Sequence, residues 1–287
     1  MTKGTRTRRR RGGRPMRGKV LAVLLSAWLV ASVLVPLLWI ALASFKSDRV
    51  NAQFDPVFIF TPTLENYIAL VNEGMDSQFV RAFLMSCLAA VVSTVIAVML
   101  SIMGAYALAR LRPRGGPQMM VYVFALRMLP PVAIIVPLFT VASGIRLFDN
   151  PIGIIAPYVA LAIPLGIWIL YGFFLDLPRE LEEAAMVDGA TRMQAFIRIV
   201  MPLTGPGIAA VSIFTFALSW NDLVLALVMT RKNITLPVLA SMVRTDQGIH
   251  WGQLGALTVL LIVPMVIFTA LVQRWIVSGL AGGAVKG

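Results

Sequence analysis

The sequence predicts an all-α integral membrane protein with six transmembrane helices and a cytoplasmic helix–turn–helix between the fourth and fifth of them. Three observations support this fold class. The 287 residues are 59% hydrophobic and 13% charged, whereas soluble domains carry about a quarter charged residues. Six apolar stretches are each long enough to cross the ~30 Å hydrocarbon core of a bilayer as a helix. Their apolar runs are continuous and do not alternate, which excludes a transmembrane β-barrel.

Residues 1–19 form a basic tail. It holds nine of the 25 Lys and Arg residues, from Lys3 to Lys19, and no acidic residue. The run RTRRRRGGR is also the kind of sequence found in nucleic-acid arms, and a signal peptide begins with a similar basic region. The apolar run that follows is too long for a signal peptide and lacks a clear cleavage site. We interpret the tail as a cytoplasmic, positive-inside segment that contacts anionic lipid, and expect no nucleic-acid binding.

The predicted spans follow the tail in order, at 20–44, 83–108, 118–142, 153–175, 205–230 and 254–278. This topology puts 17 of the Lys and Arg residues on the side of the N-terminus and seven on the other side, with Arg127 inside the third span. Because positive residues collect on the cytoplasmic side, both termini are predicted to be cytoplasmic. The transmembrane domain then covers 20–280, and a short cytoplasmic tail covers 281–287.

A charged, alanine-rich segment, residues 178–202, separates the fourth and fifth spans. Pro178 suits the first position of a helix, where its missing N–H costs nothing. Leu181, Ala184 and Ala185 then fall on one small, smooth face. A helix lying on lipid would instead carry large apolar residues and a polar face rich in Lys and Arg. We therefore expect this first helix to dock on a protein.

The same segment contains the signals for a turn and a second helix. Gly189 is expected to end the first helix in a left-handed conformation. Thr191, with Gln194 three residues later, is a capping box for the second helix. The apolar stripe of that helix and the proline that closes it are Met193, Phe196, Ile197, Val200 and Pro202.

The pattern Glu183-Ala184-Ala185, followed by Gly189 and by Ile199-x-Met201-Pro202, resembles the EAA loop of bacterial ABC importer permeases. The family pattern ends in I-x-L-P, so Met201 is a conservative departure from it. Further stretches resemble the carbohydrate-uptake branch of that family, which includes the smaller membrane subunit of maltose permeases. These stretches are LRMLPPVAIIVPLF (126–139), SWNDLVLAL (219–227), TLPVLASMV (235–243) and GAVKG (283–287).

The resemblance implies a permease subunit of an ATP-driven importer of sugars or sugar alcohols, which forms half of the translocation pathway in a bacterial cell membrane. It implies that Glu183 pairs with a basic residue of a cytoplasmic ATPase, that Ala184 and Ala185 lie in the ATPase groove, and that Gly189 provides the turn between the helices. The implied partners are a second permease subunit, an ATPase dimer and an extracytoplasmic solute-binding protein. By position, the outer loop 231–253 corresponds to the family loop that contacts this binding protein.

No cofactor or catalytic centre is expected in this chain. The sequence contains no G-x-x-x-x-G-K-[ST] phosphate loop, so ATP and Mg are expected on the partner ATPase. One cysteine and one histidine make a His- or Cys-ligated metal site unexpected. The absence of a catalytic cluster also argues against a membrane enzyme. An ion-coupled secondary transporter is the main alternative, but it would contain inverted repeats and more intramembrane carboxylates than Asp222.

Two ionisable residues lie at membrane depth, Arg127 and Asp222. Arg127 comes just before Pro130-Pro131, which must disturb the helix, and Asp222 follows Asn221. Intramembrane charges usually face a cavity, a partner charge or a subunit interface. One interpretation puts Arg127, Asn221 and Asp222 along the sugar pathway, where amide and carboxylate groups suit hydroxyl-rich ligands. The other gives the two charges a structural role in packing, which we prefer.

Overall fold

The computed structural model describes residues 16–72, 77–128, 130–243 and 250–283. Most of the basic tail, residues 244–249 of the outer loop and the last four residues of the GAVKG stretch lie outside these ranges. The α-helices are α1 (Met16–Ser44), α2 (Asp48–Asn51), α3 (Glu65–Val71), α4 (Gln78–Tyr106), α5 (Gly116–Ala125), α6 (Pro131–Gly144), α7 (Pro151–Asp176), α8 (Glu180–Val187), α9 (Arg192–Ala195), α10 (Met201–Leu203), α11 (Gly205–Asn221), α12 (Val224–Met229), α13 (Leu236–Ser241) and α14 (Trp251–Gly283). π-helical turns extend α4 over Ala107–Leu111 and join α9 to α10 over Phe196–Val200, and a 3₁₀ turn, Leu126–Met128, follows α5.

Four helices in the described part of the chain are long and apolar enough to cross a membrane. They cover Val20–Ser44, Gln78–Leu111, Pro151–Asp176 and Trp251–Ile276. They correspond to the first, second, fourth and sixth predicted spans, with ends that differ by a few residues. Their length and composition are those of a helical, multi-pass membrane protein.

The third predicted span, 118–142, is not one helix in the structure. It is divided into α5, with its 3₁₀ turn, and α6. Pro131 begins α6, and Pro130 before it is extended (φ −62°, ψ 128°), because a residue that precedes a proline is hindered from adopting the helical conformation. The sequence predicts one span here with a disturbance at Pro130 and Pro131; the structure has a break at these prolines, so a single helix is not confirmed.

The fifth predicted span, 205–230, is also interrupted. Its first part, α11, follows α9 and α10 after a bend of 72°, and the bent pair counts as a fifth span only if the two arms are taken together. Its second part, α12, is separated from α11 by Asp222 (ψ 125°) and Leu223. The fifth predicted span is therefore not one continuous helix, and its interruption falls at Asp222, directly after Asn221.

The helices pack around α4, which contacts α7 and α11, while α14 contacts α11 and α1. The buried face of α4 consists largely of small residues, which allow neighbouring helices to approach closely; they are Ala82, Ala89, Ala90, Ser93, Ala97, Ser101 and Ala105. Large side chains of α7 and α11 belong to the same core, and Tyr158 and Trp220 among them are almost completely buried. The indole N–H of Trp220 donates to the Leu261 carbonyl at 2.9 Å, which ties α11 to α14.

The ends of the helices fall on two sides of this bundle. Gly255, near the start of α14, lies against the Ile40 carbonyl and Ser44 at the end of α1, so α1 and α14 are antiparallel neighbours. A Cβ atom added to Gly205, at the start of α11, would lie 3.7 Å from the Trp275 ring near the end of α14. The start of α1, the end of α14 and the α8–α10 segment are therefore at the same end of the molecule.

The close contact of α4 and α7 leads to a stability prediction. A Cβ atom added to Gly166 of α7 would meet the Ser101 hydroxyl and come within 3.1 Å of Val211 Cγ1. We expect Gly166→Ala to destabilise the protein by about 1–3 kcal/mol, as overpacking does. The midpoint of thermal unfolding in detergent measures the effect. Gly172→Ala on the same helix is the matched control, because nothing lies within 4 Å of its Cβ position.

A second variant tests the proposed cause of this loss. If the Ser101 side chain is the obstacle, Gly166→Ala combined with Ser101→Gly should regain part of the lost stability. An unfolding midpoint for Gly166→Ala equal to that of Gly172→Ala would contradict the packing argument.

Candidate functional site

The α8–α10 segment, residues 178–203, has the turn and the cap that the sequence predicts. Gly189 follows α8 with φ of +94°, a conformation that favours glycine. The Thr191 hydroxyl accepts from the Gln194 N–H, and the Gln194 side chain accepts from the Thr191 N–H at 2.8 Å. Pro178 is not the first helical residue, because α8 begins at Glu180.

The segment exposes an apolar surface rimmed by acidic residues. Glu183 and Ala184 are exposed and Ala185 is half-buried. Beside the alanines lie larger exposed side chains, so the face is less smooth than expected; they are Leu181, Val187, Met193 and Ile197.

The predicted stripe of the second helix faces two ways. Met193 and Ile197 are exposed, whereas Phe196 is half-buried and Val200 is completely buried. The π-helical turn over Phe196–Val200 accounts for this division, because one extra residue in a turn rotates the side chains that follow it. The single apolar face expected for this helix was therefore wrong.

The last two residues of the EAA-like pattern lie where the segment meets α11. Ile199 is half-buried within the π-helical turn, and Pro202 is exposed within α10. Directly after them, the Thr204 hydroxyl donates to the Val200 carbonyl at 2.9 Å, at the point where the chain bends into α11. The pattern thus spans α8, the turn and the complete lead into the next helix.

A buried ion pair lies beneath α8, and sequence reasoning missed it. The Arg110 Nε donates to Glu182 Oε1 at 2.5 Å, and the two side chains are 8% and 10% exposed. The Tyr106 hydroxyl donates to the other carboxylate oxygen at 2.8 Å. Arg110 and Glu182 are 72 residues apart, so no local pattern joins them. The sequence offered one signal for Glu182: it is adjacent to Glu183, which belongs to the EAA-like pattern, but is itself outside that pattern.

Arg127 lies beside the break between α5 and α6. Its guanidinium donates to the Leu161 carbonyl of α7 at 3.2 Å and lies 4.9 Å from the centre of the Phe214 ring. A cation over an aromatic face is stabilised by the ring electrons. Arg127 therefore connects the broken third segment to α7 and α11.

Asp222 lies at the break between α11 and α12. Its Oδ2 accepts from the Tyr158 hydroxyl at 3.0 Å and from the Ala226 N–H at 3.1 Å. The carboxylate thus serves as an acceptor for the first turn of α12, whose N–H groups have no partner within the helix. The neighbouring Asn221 side chain is exposed and donates to the Ala217 carbonyl at 2.9 Å. Arg127 and Asp222 do not form an ion pair with each other in the described structure.

At the opposite end of the molecule, Asp149 holds residues 231–233, the start of the predicted outer loop 231–253. Its Oδ1 accepts from the backbone N–H groups of Arg231, Lys232 and Asn233, each at 2.9 Å. The Asn233 side chain donates back to the Asp149 carbonyl at 2.6 Å. Burial raises the pKa of the Asp149 carboxyl, but the three N–H donors outweigh it and hold the pKa below its usual value.

Among the described residues, no three His, Cys, Asp or Glu side chains come together in a way that could hold a metal ion.

Comparison with known proteins agrees with the fold. Residues 97–282 match the family described as "Binding-protein-dependent transport system inner membrane component". The chain is 36% identical, over 92% of its length and 96% of the relative, to the trehalose transport system permease protein SugB of Mycobacterium tuberculosis. It is 32% identical, over 94% and 98%, to the trehalose/maltose transport system permease protein MalG of Thermococcus litoralis. It is 30% identical, over 96% and 99%, to the diacetylchitobiose uptake system permease protein DasC of Streptomyces coelicolor.

A solved structure shares the same fold. A chain of a bacterial ABC transporter involved in the import of the acidic polysaccharide alginate superposes with a TM-score of 0.74. The match covers 90% of this chain and 96% of that one, at 24% sequence identity.

The Asp149 contacts predict an acid-sensitive loop. We expect Asp149→Ala to increase hydrogen exchange of the amides of residues 231–233 by about tenfold or more, because bonds to a charged acceptor are among the stronger ones. Asp55→Ala is the matched control, since Asp55 is an exposed carboxyl on a different outer segment. Unchanged exchange in Asp149→Ala would refute the assignment.

The pH dependence follows from the lowered pKa. A carboxyl whose folded pKa lies below its unfolded value stabilises the fold above the unfolded pKa, about 3.9 for Asp, and loses that contribution as the pH falls through the folded value. Protection of residues 231–233, corrected for intrinsic exchange, should therefore hold from pH 7 to about pH 5 and weaken below about pH 4.

Proposed function

The chain belongs to the family of binding-protein-dependent transport system inner membrane components, and we propose that it is the permease subunit of an ABC importer that takes up sugars or sugar alcohols. The observation that carries the proposal is the agreement between the family relatives and the α8–α10 segment, whose EAA-like pattern lies on a short, exposed helix at one end of the bundle. The relatives named above are uptake permeases for trehalose, maltose and diacetylchitobiose, which supports a carbohydrate substrate.

The proposed role of the α8–α10 segment is to dock on a cytoplasmic ATPase. Its exposed apolar surface, with Leu181 and Val187 beside Ala184, is the kind of patch that a partner protein covers. Glu183 is exposed at its edge and available for a basic residue of that partner. A docked partner can move the transmembrane helices only if the segment keeps its conformation. The capping box at Thr191 and the turn at Gly189 stabilise that conformation.

The arrangement of helix ends supports cytoplasmic termini. The start of α1 and the end of α14 lie at the same end of the molecule as α8, and the basic tail 1–19 leads into α1. If the tail is cytoplasmic, as positive residues favour, then α8 and the tail 281–287 are on the ATPase side. The outer loop held by Asp149 is then extracytoplasmic and available to a solute-binding protein.

The complete transporter would contain a second permease subunit, an ATPase dimer, this chain and the solute-binding protein. The alginate transporter has been crystallised in complex with an alginate pentasaccharide-bound periplasmic protein, which supports the last of these partners. The chain itself would bind no cofactor, because ATP and Mg would be held by the ATPase. It would therefore be a transport subunit and not an enzyme.

For Arg127 and Asp222 we propose structural roles. The Arg127 guanidinium donates to a backbone carbonyl and lies over an aromatic ring of the same chain. The Asp222 carboxylate accepts from a tyrosine hydroxyl and a backbone N–H of the same chain. Asn221 has an exposed side chain and stays a candidate for contact with the translocation pathway or with the second permease subunit.

The energy source is the first test of the proposal. In cells or vesicles that contain the complete transporter, uptake of the sugar bound by its solute-binding protein should stop when ATP is depleted and the proton gradient is maintained. Collapse of the proton gradient with ATP kept constant should leave initial uptake rates unchanged. The opposite result in both experiments would favour an ion-coupled carrier.

The docking role predicts the effect of two substitutions in the segment. Glu183→Lys reverses an exposed charge, and Gly189→Val places a β-branched residue at a φ of +94° that costs about 1–2 kcal/mol or more. Each should reduce co-purification of the ATPase dimer and sugar uptake at least about tenfold, while the protein still inserts. Glu180→Lys, on an exposed residue of the same helix, and Gly144→Val, where no atom lies within 4 Å of the Cβ position, are the controls. Normal ATPase binding and transport in both site variants would show that the segment does not dock on the ATPase.

A further inference from the structure

We propose that Arg110 and Glu182 are positioning residues that join the docking segment to the transmembrane bundle, so that movement of the ATPase reaches α4. The proposal rests on the proposed function of α8. It concerns residues outside the Glu183-Ala184-Ala185 pattern. It also gives the two neighbouring glutamates different roles, Glu183 towards the ATPase and Glu182 towards the transmembrane bundle.

The two glutamates face different surroundings. Successive residues of an α-helix are about 100° apart around its axis, so Glu182 and Glu183 cannot point the same way. Glu183 is exposed, whereas Glu182 is buried, alone among the eight residues of α8, all of which are described. Glu183 is thus available to a partner protein, and Glu182 is turned towards this chain's own spans.

Both side-chain hydrogen bonds of Glu182 lead to the end of α4 and its π-helical extension. One carboxylate oxygen accepts from Arg110 and the other from Tyr106. The Arg110 guanidinium also donates to the Leu177 carbonyl at 3.0 Å, and Arg179 donates to the Ala109 carbonyl at 2.9 Å. Four bonds therefore cross between the last turns of α4 and the stretch that carries α8.

These bonds make α8 and the end of α4 move together. The link from α7 to α8 is short, Leu177 to Arg179, and most of α8 is exposed, so apolar packing anchors this helix weakly. Separating a buried carboxylate from a buried guanidinium leaves two uncompensated charges. A displacement of α8 by a docked partner is therefore carried to α4 rather than absorbed between them.

Tyr106 extends this connection to two further elements. Its ring lies 5.7 Å from the ring of Phe174 on α7 and 4.5 Å from that of Phe196 in the π-helical turn before α10. The same residue thus contacts Glu182 through its hydroxyl and the cores of two neighbouring helical segments through its ring. Movement of α8 is shared with α4, α7 and the lead into α11.

The experiment uses the complete transporter in liposomes, with its second permease subunit, ATPase dimer and solute-binding protein. Glu182→Gln and Arg110→Met remove one partner of the pair each, and Arg110→Lys retains the charge. Glu180→Gln is the matched control, an exposed glutamate on the same helix. Four quantities are measured: assembly of the ATPase dimer, basal ATP hydrolysis, stimulation of hydrolysis by sugar-loaded binding protein, and sugar transported per ATP.

We expect Glu182→Gln and Arg110→Met to retain assembly and basal hydrolysis within about twofold. Stimulation and sugar per ATP should fall about tenfold, within the usual range of coupling between sites. Arg110→Lys should recover part of both, and Glu180→Gln should behave as the wild type. A role limited to stability would lower the amount of assembled complex without changing the sugar transported per ATP.

Tyr106→Phe provides a test if the ion-pair variants do not assemble, because it removes one hydrogen bond and keeps the pair. It should lower sugar per ATP about threefold. The proposal is overturned if the assembled ion-pair variants couple like the wild type, or if those variants fail to assemble while Tyr106→Phe couples normally. Failure of the proposed function would give a different result. The wild-type complex would then transport sugar without ATP, or a complex with Glu183→Cys would contain bound ATPase but show no crosslink between α8 and the ATPase.

Discussion

The structure depends on one constraint: within a bilayer, each backbone N–H and C=O group must find its hydrogen-bond partner inside the protein. Continuous helices meet this requirement by themselves, whereas a broken helix needs help from side chains. The Asp222 carboxylate supplies an acceptor for the Ala226 N–H at the start of α12. At the bend before α11, the Thr204 hydroxyl donates to the Val200 carbonyl, which also accepts from the Thr204 N–H. Polar side chains therefore occur at the positions where the helices are broken.

The same constraint explains why polar residues in the apolar segments do not form a cluster. Arg127 and Asp222 each serve a different discontinuity, one between α5 and α6 and the other between α11 and α12. Their partners, the Leu161 carbonyl and the Tyr158 hydroxyl, both belong to α7. This helix is continuous over Pro151–Asp176 and acts as the reference against which both broken segments are fixed. These contacts support the proposal that Arg127 and Asp222 have structural roles.

Features encoded within a few neighbouring residues could be predicted from the sequence. Apolar runs located four spans to within a few residues, Gly189 indicated the left-handed turn, and Thr191 with Gln194 indicated the cap. Contacts between distant residues could not be predicted: the Arg110–Glu182 pair and the Asp149 contacts join residues 72 and 82 to 84 positions apart. Pro130 and Pro131 indicated a disturbance of the third span but not its extent, because α7 contains Pro157 and Pro164 and is still continuous.

The π-helical turns at Ala107–Leu111 and Phe196–Val200 have a geometric consequence of their own. A π-helical turn contains one residue more than an α-helical turn. It therefore rotates the rest of the helix by about 100° about its axis, while the backbone stays hydrogen-bonded. Arg110 lies inside the first such turn, and its Nε donates to Glu182. We therefore expect that deletion of one residue from Ala107–Leu111 would turn the Arg110 guanidinium away from Glu182.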